Sequence, residues 1–292
     1  MLFIIGLVFG LGAIVTGYLM HGGKLGVLWQ PSEYVIIFGA AIGAFIISNP
    51  GHVLKAVLGH GMKTLMAGNA FSKKDAYLQL LGFFFELAKL MRTKGIKEVE
   101  QQIDHPHESA LFQKYPVIGK DHHLEAFICD NVRLIVMGSG MPNQLDELMD
   151  EEIHLHHQER HAVVNAIQTM ADGMPALGIV AAVLGVIITM GSITEPPEIL
   201  GKLIGAALVG TFFGVMVAYV VVGPMAKNIE ASYAAEGVFY GCVKVAIVNF
   251  ARQLSPQMIA EFTRKHMSGN VRPSFQEVEE YLNKISSGEA KA

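Results

Sequence analysis

The sequence predicts an all-α integral membrane protein: four transmembrane helices, a helical cytoplasmic domain between spans 2 and 3, and a helical C-terminal tail. Three observations lead there. First, the stretches 1–20, 34–51, 173–194 and 203–226 contain no Asp, Glu, Lys, Arg or His, although the chain carries 22 Lys and Arg and 26 Asp and Glu. At a rise of ~1.5 Å per residue they reach roughly 27 to 36 Å, bracketing a hydrocarbon core of ~30 Å. Second, 12 of the 22 basic residues lie between Lys55 and Arg160 and 8 between Lys227 and Lys291, leaving one each, Lys24 and Lys202, in the two short connections. By the positive-inside tendency the N-terminus, the middle segment and the C-terminal tail face the cytoplasm. Third, no alternation of period two persists anywhere, so strands are not expected.

The organisation follows in order. Residues 1–53 hold spans 1 and 2. No basic stretch precedes the first span and it is too long for a signal h-region, so it is expected to be retained. Residues 54–171 form a cytoplasmic helical domain. Within it, 75–92 places Leu78, Leu81, Phe85 and Ala88 on a helical period and stops near Gly95, and 120–137 places Leu124, Phe127, Ile128, Leu134 and Ile135 on one face before Gly138-Ser139-Gly140. A third helix begins near Asn143 and meets no breaker before Gly173, so it runs into span 3. Residues 172–228 hold spans 3 and 4. The fourth continues from Lys227 to Gln253, Ser255-Pro256 ends it, and a helix over 257–266 follows. In the tail, residues 229–292, Ser274 and Glu277 have capping-box spacing ahead of Val278, Tyr281, Leu282 and Ile285. Low complexity is confined to the last half-dozen residues.

Several chemistries are excluded or weak. A net charge of −4 makes no case for nucleic acid. Cys129 and Cys242 stand far apart, form no C-x-x-C pair, and read as buried free thiols. Glu151 and His154 have E-x-x-H spacing, and His157 shares a helix face with His161. A di-iron bundle needs further carboxylates or a second such motif, and none appears, so a solvated helix face is the better reading and no metal site is expected. Gly59-His60-Gly61-Met62-Lys63-Thr64 fails as a phosphate loop because Met62 interrupts the Gly-Lys-Thr core. No serine-hydrolase, zinc-protease or dinucleotide signature is present, so neither an enzyme nor a cofactor is expected.

Gly and Pro mark the spans. Gly6 and Gly10, Gly39 and Gly43, Gly201 and Gly205, and Gly210 and Gly214 are each four apart, a spacing that lets helix backbones approach closely in lipid, within the chain or between copies. Pro175 lies near the cytoplasmic start of span 3 and Pro224 near the cytoplasmic end of span 4. They either mark helix ends or form a flexible collar where helices bend during a working cycle. A protein that moves ions alone usually keeps an ionisable side chain in the membrane. The four uncharged stretches hold none.

With these features in place, the chain resembles the A subunit of the flagellar motor stator, the MotA/PomA family, over essentially its whole length. The likeness rests on Pro31-Ser32-Glu33-Tyr34 leading into Gly39-Ala40-Ala41-Ile42-Gly43-Ala44, on Leu148-Met149-Asp150-Glu151-Glu152-Ile153, and on the run from Pro175 to Gly185. Val209-Gly210-Thr211-Phe212-Phe213-Gly214 and Arg272-Pro273-Ser274-Phe275 complete it.

The resemblance implies a multi-pass protein of the bacterial inner membrane. A ring of A subunits, five by family expectation, surrounds a dimer of B subunits (MotB/PomB type) that supplies the ion-binding Asp. Ion flow then turns the flagellar rotor through the switch protein FliG. It places Pro175, Thr211 and Pro224 around the partner Asp, and Arg92 and Glu100 at the rotor, with Lys94, Lys97 and Glu98 able to share that contact. Sodium-driven relatives usually carry a Thr where this chain has Ala182, so the translocated ion is expected to be H+. The nearest alternative is an ExbB/TolQ-type energising subunit with three spans. A self-sufficient transporter and a metal enzyme built on the His cluster are the others.

Overall fold

The computed structural model describes residues 2–67, 70–138 and 141–287, and among them every regular element is helical. The chain divides into two compact units, Met1–Gly68 with Glu159–Ala231, and Asn69–Gln158 with Ser232–Ala292.

The first unit holds the apolar helices. Helix α1 (Leu2–Met20) buries no residue, and α2 (Leu25–Leu28) is a single turn. Helix α3 (Pro31–Ser48) starts with Pro at its first position, where a missing N–H costs nothing. It stops at Asn49, whose extended backbone is what a following Pro50 requires. Short helices α4 (Gly51–Ala56) and α5 (Met62–Ala67) flank a π-helical turn, Val57–Gly61. The later part of helix α11 (Pro142–Gly191) and helix α12 (Pro197–Met216) complete the unit, and a second π-helical turn, Val217–Val222, leads into helix α13 (Gly223–Ala251). The segments Leu2–Met20, Leu25–Ser48, Pro142–Gly191 and Pro197–Ala251 are each long and apolar enough to cross a membrane.

One boundary corrects the expectation. The uncharged stretch places the second span at 34–51, but the helix begins three residues earlier and carries Glu33 in its first turn. An acidic residue there suits the positive end of the helix dipole, so the helix extends past the edge of the uncharged stretch.

The second unit is built on α6 (Lys74–Lys94), which buries Tyr77, Leu80, Leu81, Phe83, Phe84, Phe85, Leu87 and Ala88. Gly95 ends it with φ +88°, the left-handed conformation that favours glycine, and donates its N–H to the Met91 carbonyl. Around α6 lie α7 (Ile96–Asp104), α8 (Ala110–Lys114), α9 (Pro116–Gly119), α10 (His122–Val136), α14 (Pro256–His266) and α15 (Phe275–Ser287). Phe239 of α13 sits 4.6 Å from the Phe71 ring and 5.1 Å from Tyr77, and Phe83 meets Phe112 at 5.0 Å. Burial pushes the Cys129 thiol up to about 12, and Cys242 is likewise a buried free thiol, which fits inert core residues. The expected capping box is present: the Ser274 N–H donates to Glu277 Oε2 at 2.7 Å, and the Glu277 N–H to Ser274 Oγ at 3.2 Å. Ser139 and Gly140, the expected stop of α10, lie outside the described residues. Val136 is its last helical residue, and Gly138 follows with φ +70°.

Candidate functional site: the seam between α11 and α12

Helices α11 and α12 approach at backbone distance because glycine lines both sides. A Cβ added to Gly178 would lie 2.8 Å from the Gly210 carbonyl oxygen and 3.1 Å from Gly214 Cα. One added to Gly214 would lie 2.7 Å from the Met174 carbonyl oxygen and 2.9 Å from Gly178 Cα. Further along, a Cβ on Gly185 would meet Ala207 Cβ at 2.7 Å. Side chains any larger than hydrogen at these positions would force the helices apart, which is why small residues recur at the four-residue spacing.

The seam brings three of the expected residues into one neighbourhood. Pro175 and Ala182 are seven apart on α11, hence on one side of it, and both are half-buried. Thr211, also half-buried, has its Cα 3.3 Å from where a Gly178 Cβ would stand, and the Ala182 amide nitrogen is 3.3 Å from the corresponding point on Gly210. Gly210 and Gly214 are therefore part of the seam itself. Pro224 is placed elsewhere, on the second residue of α13, exposed, in a groove it shares with Leu2, Phe3, Gly6 and Leu7 of α1 and with Tyr219 and Lys227. The π-helical turn immediately before it is a local answer to a proline, which cannot donate to the carbonyl one turn back. Gly39 and Gly43 have no atom within 4 Å of an added Cβ in this chain, nor do Gly6, Gly201 and Gly205, whereas Gly10 meets Val220 at 3.2 Å.

Sequence reasoning passed over Glu33. Its side chain is 7% exposed, its Oε2 has no hydrogen-bond partner among the described residues, and that oxygen lies 2.8 Å from the Cβ position of Gly210. Ala181 Cβ is 3.1 Å from the same point, so Glu33 is level with Ala181 and Ala182 beside the seam. Next to it in sequence, the Tyr34 ring lies tilted 4.3 Å from Phe213, Phe38 meets the same ring at 5.7 Å, and the Tyr34 hydroxyl donates to the Leu28 carbonyl. Its position just outside an uncharged stretch, followed by Tyr34, was the available signal.

The charged residues expected at the rotor lie in the second unit. Arg92, Lys94, Lys97 and Glu100 are exposed and Glu98 is half-buried, on the end of α6 and the start of α7, on either side of the Gly95 turn. Arg92 donates to the Gln253 carbonyl at 3.3 Å, and Lys94 pairs with Glu98 at 3.4 Å. Lys97 and Glu100 lie exposed on the first two turns of α7, whose buried face carries Val99 and Ile103. Among the described residues the His-rich run does not gather into a metal-ligating group. His154 bonds Gln158, His161 bonds Asn165, and His156 stacks on Tyr240 at 5.0 Å.

Two family models match: Motility protein A N-terminal over residues 4–95, and the MotA/TolQ/ExbB proton channel family over 120–238. The chain is 38% identical over 287 residues to Motility protein A of Escherichia coli (strain K12), covering 98% of this chain and 97% of that protein. It is 34% identical over 269 residues to Chemotaxis protein LafT of Vibrio parahaemolyticus, covering 92% and 94%. Its fold matches a chain in the structure of C. jejuni MotAB with a TM-score of 0.76 at 19% identity, covering 94% of this chain and 98% of that one. A chain of the flagellar MotAB stator complex from Bacillus subtilis gives 0.71 at 22% identity, covering 88% and 92%. With four candidate spans and near full-length similarity, the chain belongs to the motility protein A family, multi-pass inner-membrane stator subunits that form a proton channel and catalyse no covalent reaction.

Proposed function

We propose that protons cross beside the α11–α12 seam of this chain and that a B-type partner subunit supplies the carboxyl that carries them. The observation that carries the reading is the seam itself, which holds Pro175, Ala182 and Thr211 half-buried in one neighbourhood. The MotAB complexes among the solved relatives support a partner of that kind. A buried carboxylate without a partner costs several kcal/mol, so a partner Asp prefers different surroundings in its charged and neutral forms. Protonation thereby changes its contacts with Pro175 and Thr211. Pro224, set on the α1 groove, is a second bending point rather than a neighbour of the first. Ala182 brings no side-chain oxygen to help strip water from Na+, which favours H+ as the ion.

Both termini face the cytoplasm by the distribution of Lys and Arg. Arg92, Lys94, Lys97, Glu98 and Glu100 then act on FliG at the rotor. Solvated charges attract modestly and are screened beyond ~8 Å in physiological salt, which suits a contact made and released on every step. Five copies form the ring, and the exposed apolar residues of α1 and of the outer α11 face, among them Phe9, Ile187 and Ile188, meet lipid or neighbouring copies. An ExbB/TolQ-type role fits less well, because the chain has four candidate spans.

The test is expression with the cognate B subunit in cells lacking their own stator. Swimming should persist without sodium, stop with a protonophore, and fall at least tenfold in Pro175→Leu or Thr211→Val at unchanged protein level. Swimming that requires Na+ would overturn the ion assignment, and normal swimming in both variants would overturn the seam.

A further inference from the structure

We propose that His107, His122 and Glu125 form a binding site for a divalent transition-metal ion of the Zn2+ class, in the second unit. His107 sits in the turn between α7 and α8, while His122 and Glu125 are three apart on α10 and so share a face. One ring nitrogen from each histidine and one carboxylate oxygen all lie within 4.8 Å of one another. Among the described residues no other His, Cys, Asp or Glu group does so.

Two features separate this cluster from a chance meeting of surface groups. The Glu125 side chain is not on the surface: the residue is 7% exposed, its Oε2 has no hydrogen-bond partner among the described residues, and His107 Nδ1 stands 3.8 Å from that oxygen. A buried carboxylate oxygen left without a partner destabilises the fold, a cost that a cation removes. The backbones presenting the histidines are also fixed. Gln113 donates to the His107 carbonyl at 2.9 Å, Glu108 and Ser109 close the turn onto the His105 carbonyl at 3.0 Å, and Asp121 caps α10 one residue before His122.

The distances suit the chemistry. With Zn–N of ~2.0–2.1 Å and Zn–O of ~2.0–2.2 Å, tetrahedral ligand atoms stand roughly 3.3–3.5 Å apart. The 3.8 Å separation is near that already, and the His107 and His122 rings, edge-to-face at 5.8 Å between centroids, are exposed, so a small rotamer adjustment closes the rest. Two imidazoles and one carboxylate leave a fourth position open to water, the ligand set of an accessible rather than a closed site. A bound ion would tie the α7–α8 turn to α10, adding a link between the segments that the Arg133–Asp104 pair at 3.0 Å joins further along α10. Because α7 carries Glu98 and Glu100, occupancy would stiffen the surface assigned above to the rotor. Only that last consequence rests on the rotor reading.

The test uses tag-free, full-length protein in detergent, stripped with a chelator, dialysed against ZnCl2 and analysed for retained metal. One Zn2+ per chain is expected. Its apparent affinity should fall at least tenfold in His107→Ala, in His122→Ala and in Glu125→Gln, and not in His154→Ala or His157→Ala. Zinc should raise the thermal midpoint of the wild type and leave that of His107→Ala/His122→Ala unchanged, a readout independent of motility. Because both histidines are exposed, that double variant folds even if Glu125→Gln does not. No retained zinc in the wild type, or equal retention in the double histidine variant, would overturn the site.

Discussion

Replacing Gly214 with Ala tests the packing that positions the candidate channel residues. Ordinary contact of a Cβ begins at 3.4 Å, and a Cβ on Gly214 would lie 2.7 Å from the Met174 carbonyl oxygen, so α11 and α12 must separate by about 0.7 Å at that level. The obstacle is backbone rather than the end of a flexible side chain, so no rotamer change relieves it. Overpacking of this kind costs about 1–3 kcal/mol. Gly178→Ala meets the Gly210 carbonyl oxygen at 2.8 Å in the same layer and should cost a similar amount. Once one substitution has parted the helices, the second has less to do, so the double variant should be less destabilised than the sum by about 1 kcal/mol. Gly237→Ala, which has nothing within 4 Å of the added Cβ, should be neutral or stabilising by up to about 1 kcal/mol through helix propensity. Reversible unfolding in mixed micelles measures all four. Strict additivity of the first two, or a neutral Gly214→Ala, would refute backbone contact as the basis of the seam.

Charge reversal at Arg92 and Glu100, singly and together, should reduce swimming without lowering protein level, and undiminished swimming in the double variant would remove those residues from the rotor contact. Glu33→Met deletes a buried oxygen with no partner among the described residues, so unfolding in micelles should show stability unchanged or raised by about 1–2 kcal/mol. A loss of more than 1 kcal/mol would mean the carboxyl has a partner. Ser255 accepts from the Met258 N–H at 3.3 Å as the cap of α14, and Ser255→Ala should cost ~1 kcal/mol in thermal unfolding. The Lys74 ammonium and the Ser274 N–H hold the Glu277 carboxyl at about 2, below its usual 4.5, so the α15 contact it makes is fully present above pH 4.5 and lost as pH falls toward 2. Acid titration of Glu277→Gln should lack that transition.

The helices were legible wherever local chemistry decided them. Uncharged stretches located the spans, Gly95 ended α6, and Ser274 with Glu277 began α15. The second span's start was misread because charge was taken as its boundary, whereas the helix keeps Glu33 by burying it against Gly210. Helix α7 went unread because its apolar positions, Val99 and Ile103, are few and its packing surface is supplied by α6 and α10. At the seam, spacing identifies Gly210 and Gly214 but not Gly178, which faces them from α11, nor Gly185, seven residues further on, which faces Ala207. The His107, His122 and Glu125 cluster joins residues from two elements, and no single run of sequence contains it.

The widened turn at Val217–Val222 takes up one residue more than an α-helical turn would. Buried positions in and after it fall at Val217, Ala218, Val222, Ala226 and Ile229. Because the extra residue is absorbed in the bulge, deleting one residue there would restore an ordinary helical ladder and leave Pro224, Ala226 and Ile229 on the faces they now occupy. The same deletion in the regular part of α12 would swing them through roughly 100° about the axis. A relative one residue shorter in this turn therefore keeps the same apolar stripe.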